Sequence, residues 1–320
     1  MEILRVQGAN QEWDRFVEES PGGTIFSTLR FLSYHPSSRF KWLNLAVKDG
    51  NDLVCVVAGG DVDEAEGRFF RSPVGSSFGG PVFRDDRALR PMADVVDALT
   101  EYVRGMGYAG IEIVLPPLCY SSSQDHGLAF VLGRAGYRLV SRDASLVVDL
   151  DSPEKDDLDP VLRRSLRRAE KGGVYVHATT ALGGFYEVLG RSLTAKGTTP
   201  THTLDELEKL FGIFPDRLIL LEAALQEKVV GGCLLFLCNP RVGLAFYICD
   251  DRDHGDLRIA EATLYGALSL LKRSGYRYLD LGTVSFGNEV NWGLVRFKTK
   301  FRPTTYVREH YALSFKETRA

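Results

Sequence analysis

GYRYLDLGTVSFGNEVNWGLVRFKTKF, residues Gly275–Phe301, is the stretch whose reading decides the fold. Gly275-Tyr276 stops a helix, because glycine readily takes the left-handed conformation that closes one. Tyr278–Gly282 then reads as a short apolar strand. Trp292–Lys300 reads as a helix in which apolar Leu294, Val295 and Phe297 alternate with basic Arg296, Lys298 and Lys300. Working outward, Ala260, Leu264, Ala267, Leu268 and Leu271 recur on one face of a helix over Leu257–Arg273. Before it, Arg217–Ala224, Val229–Leu237 and Gly243–Cys249 read as strands, the first two joined at Gln226-Glu227-Lys228.

The first third repeats this order about 170 residues earlier, a period that points to an ancient duplication. Gln11–Glu19 and Ser27–Tyr34 read as short helices. Trp42–Lys48 and Leu53–Ala58 read as strands joined by the turn Asp49-Gly50-Asn51-Asp52, and Arg68–Ser72 as a third. A helix over Ala88–Arg104 carries Leu89, Met92, Val95, Val96, Leu99 and Val103 at helical spacing. Gly107-Tyr108 ends it, and the strand Ile111–Leu115 stops at Pro116-Pro117. The expectation is an α+β chain of two domains, 1–150 and 151–320, each a central mixed sheet flanked by helices. Six acidic residues within Asp149–Asp159 form the expected linker.

The bulk composition is that of a globular protein: 320 residues, 44% hydrophobic and 25% charged, with a net charge of -3. That balance offers no general attraction to DNA or to an anionic membrane, so any such contact must be local. Cys55, Cys119, Cys233, Cys238 and Cys249 form no CxxC pair and mostly sit in apolar runs, so they are expected as buried thiols with no metal site. MEILRVQG carries no signal pattern, and no apolar run reaches spanning length, which gives a cytoplasmic expectation with at most peripheral membrane contact.

Asp159-Pro160 opens a helix, with aspartate as N-cap and proline at the first position. Leu162, Leu166 and Ala169 face inward. Arg163, Arg167 and Lys171 form an outer stripe, with Arg164 and Arg168 beside it. Like charges one turn apart repel. The face is therefore either neutralised by the acidic segment upstream or reserved for a phosphate-bearing partner, such as a nucleotide-linked sugar, a diphosphate lipid or a tRNA.

The segments Gly197–Phe236 and Gly275–Phe301 resemble the Fem-like branch of the GNAT superfamily, which holds the FemA, FemB and FemX peptidoglycan aminoacyltransferases and bacterial acyltransferases of the BioF2-like type. The resemblance rests on a strand ending in Asp280-Leu281-Gly282 and a helix of the form Gly-Leu-x-x-Phe-Lys-x-x-Phe, here Gly293 to Phe301. SFGGPVF and RRSLRRAEKGGV also look like this family. The resemblance implies tandem GNAT-like domains and an acyl- or aminoacyltransferase acting on an amine of a cell-envelope or sugar-linked precursor. Two departures stand out. The usual glycine after the second phenylalanine is Arg302, and the coiled-coil insertion of the tRNA-using members has no counterpart.

Acyl transfer to an amine needs a positioned acceptor, donors for the developing oxyanion, and a route for the proton. The resemblance gives the oxyanion role to Lys298, with Phe297 and Thr283 as neighbours on the substrate side. Asp280 is a candidate for orienting the amine, or a partner for a nearby cation. His202 is a candidate base, although Thr203 with Glu206 three residues later is also a capping box. The loop Asp250–Leu257 stands where an acetyl-CoA enzyme of this fold holds the diphosphate. Four aspartates crowd it, and a fifth group of negative charge is disfavoured there. No tightly bound cofactor is expected, and the acyl donor, aminoacyl-tRNA or acyl-CoA, stays open. SPVGSSFGG lacks the Gly-Lys-Ser/Thr ending of a phosphate loop and reads as a tight backbone crossing.

Overall fold

The computed structural model describes residues 1–151, 158–287 and 289–315. It divides into two units: Met1–Ala144 with Ser285–Glu289 and the chain from Tyr306, and Ser145–Val284 with Val290–Thr305. The division at Ala144/Ser145 precedes the expected 150/151. The chain also re-enters the first unit because its last strand, Thr304–Ser314, pairs antiparallel with Gly110–Val114. Most of the acidic linker, residues 152–157, lies outside the described residues.

In the first unit, Glu2–Val6, Asn44–Asp49, Asp52–Val57 and Val82–Phe83 form an antiparallel four-stranded sheet. A mixed sheet places Thr304–Ser314 beside Gly110–Val114, then Gly67–Ser72, Gly60–Glu64 and Lys41–Trp42. Gly67–Ser72 and Gly110–Val114 run parallel, and the helix Leu89–Gly105 connects them. That helix and Gly127–Arg134 cover a core in which Met92, Val96 and Leu132 meet Val47, Phe70 and Ile111. The expected Ser27–Tyr34 helix is a 3-10 turn at Ile25–Ser27 followed by one helical turn, Leu29–Leu32, capped by the Thr28 hydroxyl.

The second unit orders its strands Tyr175–Thr179, Leu218–Leu225, Lys228–Leu237, Val242–Asp250 and Tyr278–Thr283, with Ser145–Asp149 of the strand Arg138–Asp149 beside the last. Helix Ile259–Arg273 covers one face through Leu264, Ala267 and Leu271, each fully buried and each large apolar side chain contributing about 1.5–3 kcal/mol. Helix Gly183–Thr194 covers the other. The glycine pair in VVGGCLLF allows both approaches: a Cβ on Gly231 would lie 2.5 Å from Ile259, and one on Gly232 would lie 2.6 Å from Phe185. All five cysteines are buried and reduced.

Candidate active site

The parallel pair in the second unit opens like a fork. Val242–Asp250 and Tyr278–Thr283 pair only as Val242↔Tyr278, Gly243↔Leu279 and Leu244↔Asp280, after which both strands continue. On its other side the first strand pairs Leu235 with Ala245 but Leu234 with Tyr247, so Phe246 is an extra, bulged residue just beyond the fork. A bulge increases local twist and re-aims side chains, and this one lies where the strands separate.

Asp280 occupies the last paired position and is fully buried. Its Oδ1 accepts the Ser145 hydroxyl at 2.6 Å and the Gly282 amide at 2.7 Å. Between Asp280 and Thr283 the register with Ser145–Asp149 slips by a residue, and Gly282 adopts φ +80. That left-handed conformation suits glycine and is costly for residues with a Cβ. The aspartate thus fastens a glycine bulge.

Lys298 completes the arrangement. It ends the helix Trp292–Lys298, is 4% exposed, and its Nζ donates to the Gly282 and Thr283 carbonyls at 3.0 Å each. An ordinary surface lysine keeps its head in water, so the solvated-helix reading fails at this residue. A buried ammonium needs compensating acceptors, and the bulge supplies two. The structure therefore brings Asp280, Thr283 and Lys298 together through Gly282.

The helix and the turn after it are docked along one side, while Trp292 and Arg296 stay exposed. Lys300 Nζ meets buried Glu261 at 2.7 Å, in the first turn of Ile259–Arg273, where a carboxylate complements the helix dipole. Phe297 packs against the core and stands edge-on to Phe301, ring centres 6.1 Å apart. Arg302 takes φ +48 after the final turn.

His202 belongs to another cluster. It is 4% exposed, and its Nδ1 lies 3.0 Å from the Tyr247 hydroxyl, which also accepts the Thr201 and His202 amides. Burial pushes the Tyr247 phenol up, opposed by its hydrogen bond with Thr201. The capping box is formed, with Thr203 Oγ1 accepting from the Glu206 amide and Glu206 Oε2 from the Thr203 amide. These contacts give His202 a structural anchorage at the helix entry.

The arginine helix spans Pro160–Lys171, capped by Asp159. Arg163, Arg164, Arg167, Arg168 and Lys171 are exposed. Arg163 donates to the Leu158 carbonyl, and Arg168 pairs with Asp256 at 3.0 Å. The acidic loop, a 3-10 segment Arg252–Leu257, is itself partly neutralised: Asp251 lies 3.7 Å from Arg191 and 3.9 Å from Lys228. Burial pushes the Asp250 carboxyl up, opposed by the charge of Lys196. Among the described residues, no group of three or more His, Cys, Asp or Glu side chains is placed to hold a metal ion. No helix among them is long and apolar enough to cross a membrane.

Two parallel pairs, each with its own connecting helix, and a fork in the second unit define a recognisable architecture. FemX superposes with a TM-score of 0.73 over 98% of both chains at 13% identity. This is a Fem-like tandem GNAT fold. The C-terminal domain of a putative lysylphosphatidylglycerol synthetase from Agrobacterium fabrum shares the fold at TM-score 0.63 and 14% identity, covering 93% of this chain and 92% of that one. A tandem GNAT protein from the clavulanic acid biosynthesis pathway shares it at 0.58 and 13%, over 99% of both chains. No protein-family model matches the chain, and no curated protein matches its sequence.

Within this tandem GNAT fold, sequence reading missed Ser145 and Tyr247, which hold the candidate site residues Asp280 and His202, and Glu261, which holds Lys300. Ser145 carries no local signal, because its partner is 135 residues away. Glu261 was visible only as an acidic residue in a first helical turn.

Proposed function

We propose that this chain is an N-acyltransferase that moves an acyl or aminoacyl group onto an amine of a cell-envelope or sugar-linked precursor. The observation that carries the reading is a buried lysine, Lys298, held by the glycine bulge beside the opening of two parallel strands. In the reaction the amine attacks the donor carbonyl, a C–N bond forms, the donor's C–O or C–S bond breaks, and the departing oxygen or sulfur takes up the proton that the amine loses. A fixed ammonium near that carbonyl stabilises the oxyanion as it develops, and a preorganised donor in a dry site loses nothing to reorganisation. Asp280 and Ser145 act as positioning residues, since they shape the bulge that aims Lys298. The exposed stripe Arg163, Arg164 and Arg167 suits the phosphates of a nucleotide- or lipid-linked precursor or of a tRNA.

Acyl-CoA in its usual binding mode is disfavoured as donor, which leaves aminoacyl-tRNA as the donor proposed, bound without the coiled-coil insertion of the tRNA-using members. In the usual mode a CoA diphosphate sits at the N-terminus of the helix that starts at Ile259, and here Glu261 already occupies that first turn with Lys300 as its partner. The test is mass-spectrometric detection of acylated product from purified protein, amine-bearing envelope precursors, and either charged tRNA or acyl-CoA. Transfer that disappears in Lys298→Ala supports the reading. Transfer from acyl-CoA alone replaces the donor assignment, and no transfer from any donor leaves a ligand-binding GNAT pair as the better account.

A further inference from the structure

The first unit has its own cavity, of 140 Å³, at the carboxyl ends of its parallel strands. Strand Gly67–Ser72 leads into Phe78 and Gly79, and strand Gly110–Val114 leads into Leu115 to Leu118, and both segments line the cavity. Crevices outside the carboxyl ends of strands are the common ligand sites of open α/β sheets. The glycines of SPVGSSFGG bring the two segments together: the Gly79 amide donates to the Val114 carbonyl at 2.8 Å, and a Cβ on Gly79 would meet Ser72 Oγ at 2.7 Å.

The walls are apolar, with Phe78, Leu115, Leu118, Leu128 and Val307 among them. The ionisable residues of the lining are Asp86, Asp125, Glu309 and His126, with no lysine or arginine among them; the Arg308 guanidinium stacks over the Phe78 ring, 5.2 Å from its centre. Glu309 is ion-paired to Arg142 at 2.8 Å, but neither Asp86 nor Asp125 pairs with a cation among the described residues. Asp86 is fixed in place, because its Oδ2 accepts the Ser121 and Ser123 hydroxyls at 2.7 Å each. Both bonds go to one oxygen, so Oδ1 keeps its acceptor capacity. A half-buried, oriented carboxylate beside apolar walls favours a cation that carries its own apolar surface.

We propose that this pocket binds a short alkylammonium group, with the chain against the apolar wall and the ammonium on Asp86. The cavity measures 140 Å³, which is ample for a short alkyl chain ending in an ammonium. The proposal rests on this pocket alone and is read by binding, so it stands or falls separately from the transferase reading.

The experiment titrates the full chain with n-butylammonium, n-butanol and n-butyrate, followed by amide NMR shifts. The expected result is saturable binding with the ammonium preferred to the alcohol about tenfold or more, the scale of a charge-assisted hydrogen bond, and shifts clustered on Phe78, Leu118 and Leu128. Asp86→Asn, which keeps an acceptor for the serine hydroxyls, should bring ammonium and alcohol to equal affinity, and Ala129→Phe should block both. An alcohol bound as tightly as the ammonium, shifts elsewhere in the chain, or an ammonium preference that survives in Asp86→Asn overturns the proposal. If Asp86→Asn does not fold, the ranking of the three ligands on the unaltered protein still decides.

Discussion

Lys298 Nζ and the Gly282 carbonyl oxygen lie 3.0 Å apart, although the two residues are sixteen positions apart on different elements. The same glycine gives its amide to Asp280, so one residue links the buried carboxylate to the buried ammonium. Lys298→Ala removes the donor for two carbonyls, and each unsatisfied buried acceptor costs about 1–3 kcal/mol. The variant should lose transferase activity and about 2–5 kcal/mol of stability, read by urea unfolding. Lys298→Arg retains charge but places a planar fork where a compact ammonium sat, so it should recover stability more than activity. Full activity in folded Lys298→Ala would reduce the residue to a structural strut.

Gly282→Ala tests the bulge itself. An alanine Cβ would lie 3.7 Å from Lys298 Nζ, an ordinary contact, so the cost is conformational rather than steric. Holding a non-glycine residue at φ +80 costs about 1–2 kcal/mol. The expected variant folds with that loss and shows a lower kcat, because Lys298 shifts with the carbonyls it binds.

Some local features were legible before the fold was. The Thr203–Glu206 spacing signals the capping box that the structure forms, and Asp159-Pro160 signals the capped start of the arginine helix. Both are local, with their physics contained in a few residues. The burial of Lys298 was not legible, since an alternating basic and apolar helix is equally consistent with a solvated face until its acceptors are located. Ser145 and the strand Thr304–Ser314 escaped for the same reason: their partners are distant in sequence and no periodicity encodes such pairing. The tail strand also explains why a single domain boundary could not be read off the linker.

Arg302 offers a gain rather than a loss. It holds φ +48 directly after the last turn at Thr299–Phe301, a position glycine fills without strain. Arg302→Gly relieves the left-handed strain but frees the unfolded chain. The net expectation is a stabilisation of about 0.5–1 kcal/mol, measured as a higher urea midpoint with unchanged slope.

Glu222 gives a pH-dependent prediction. It is buried on the strand Leu218–Leu225 opposite His177, with 3.8 Å between them. Burial pushes its carboxyl up, and the charge of His177 opposes this. The folded state therefore holds the proton more tightly than the unfolded chain. Its contribution to stability is fullest below the ordinary glutamate range near pH ~4.3 and declines as pH rises through that range toward the raised folded value. Glu222→Gln cannot ionise. It should match the parent in acid and exceed it increasingly toward neutrality, in thermal unfolding followed across pH.

The arginine helix separates two kinds of charge. Arg168 pairs with Asp256, but both side chains are more than half exposed, and such a pair is worth about 0–1 kcal/mol. Arg168→Ala should therefore change the unfolding midpoint little. Arg164 and Arg167 are exposed on the same helix, where like charges a turn apart repel in the absence of an anion. If they serve phosphate binding, the affinity for a polyanion such as polyphosphate should fall steeply with salt, because each neutralised phosphate releases a counterion. Arg164→Ala with Arg167→Ala should then reduce that affinity and flatten its logarithmic salt slope by about two. In the transfer reaction the same double variant should raise KM for a phosphate-bearing precursor while leaving kcat near the parent value, since the lost contacts hold the substrate in ground and transition states alike. An unchanged salt slope and unchanged KM would return this face to solvent.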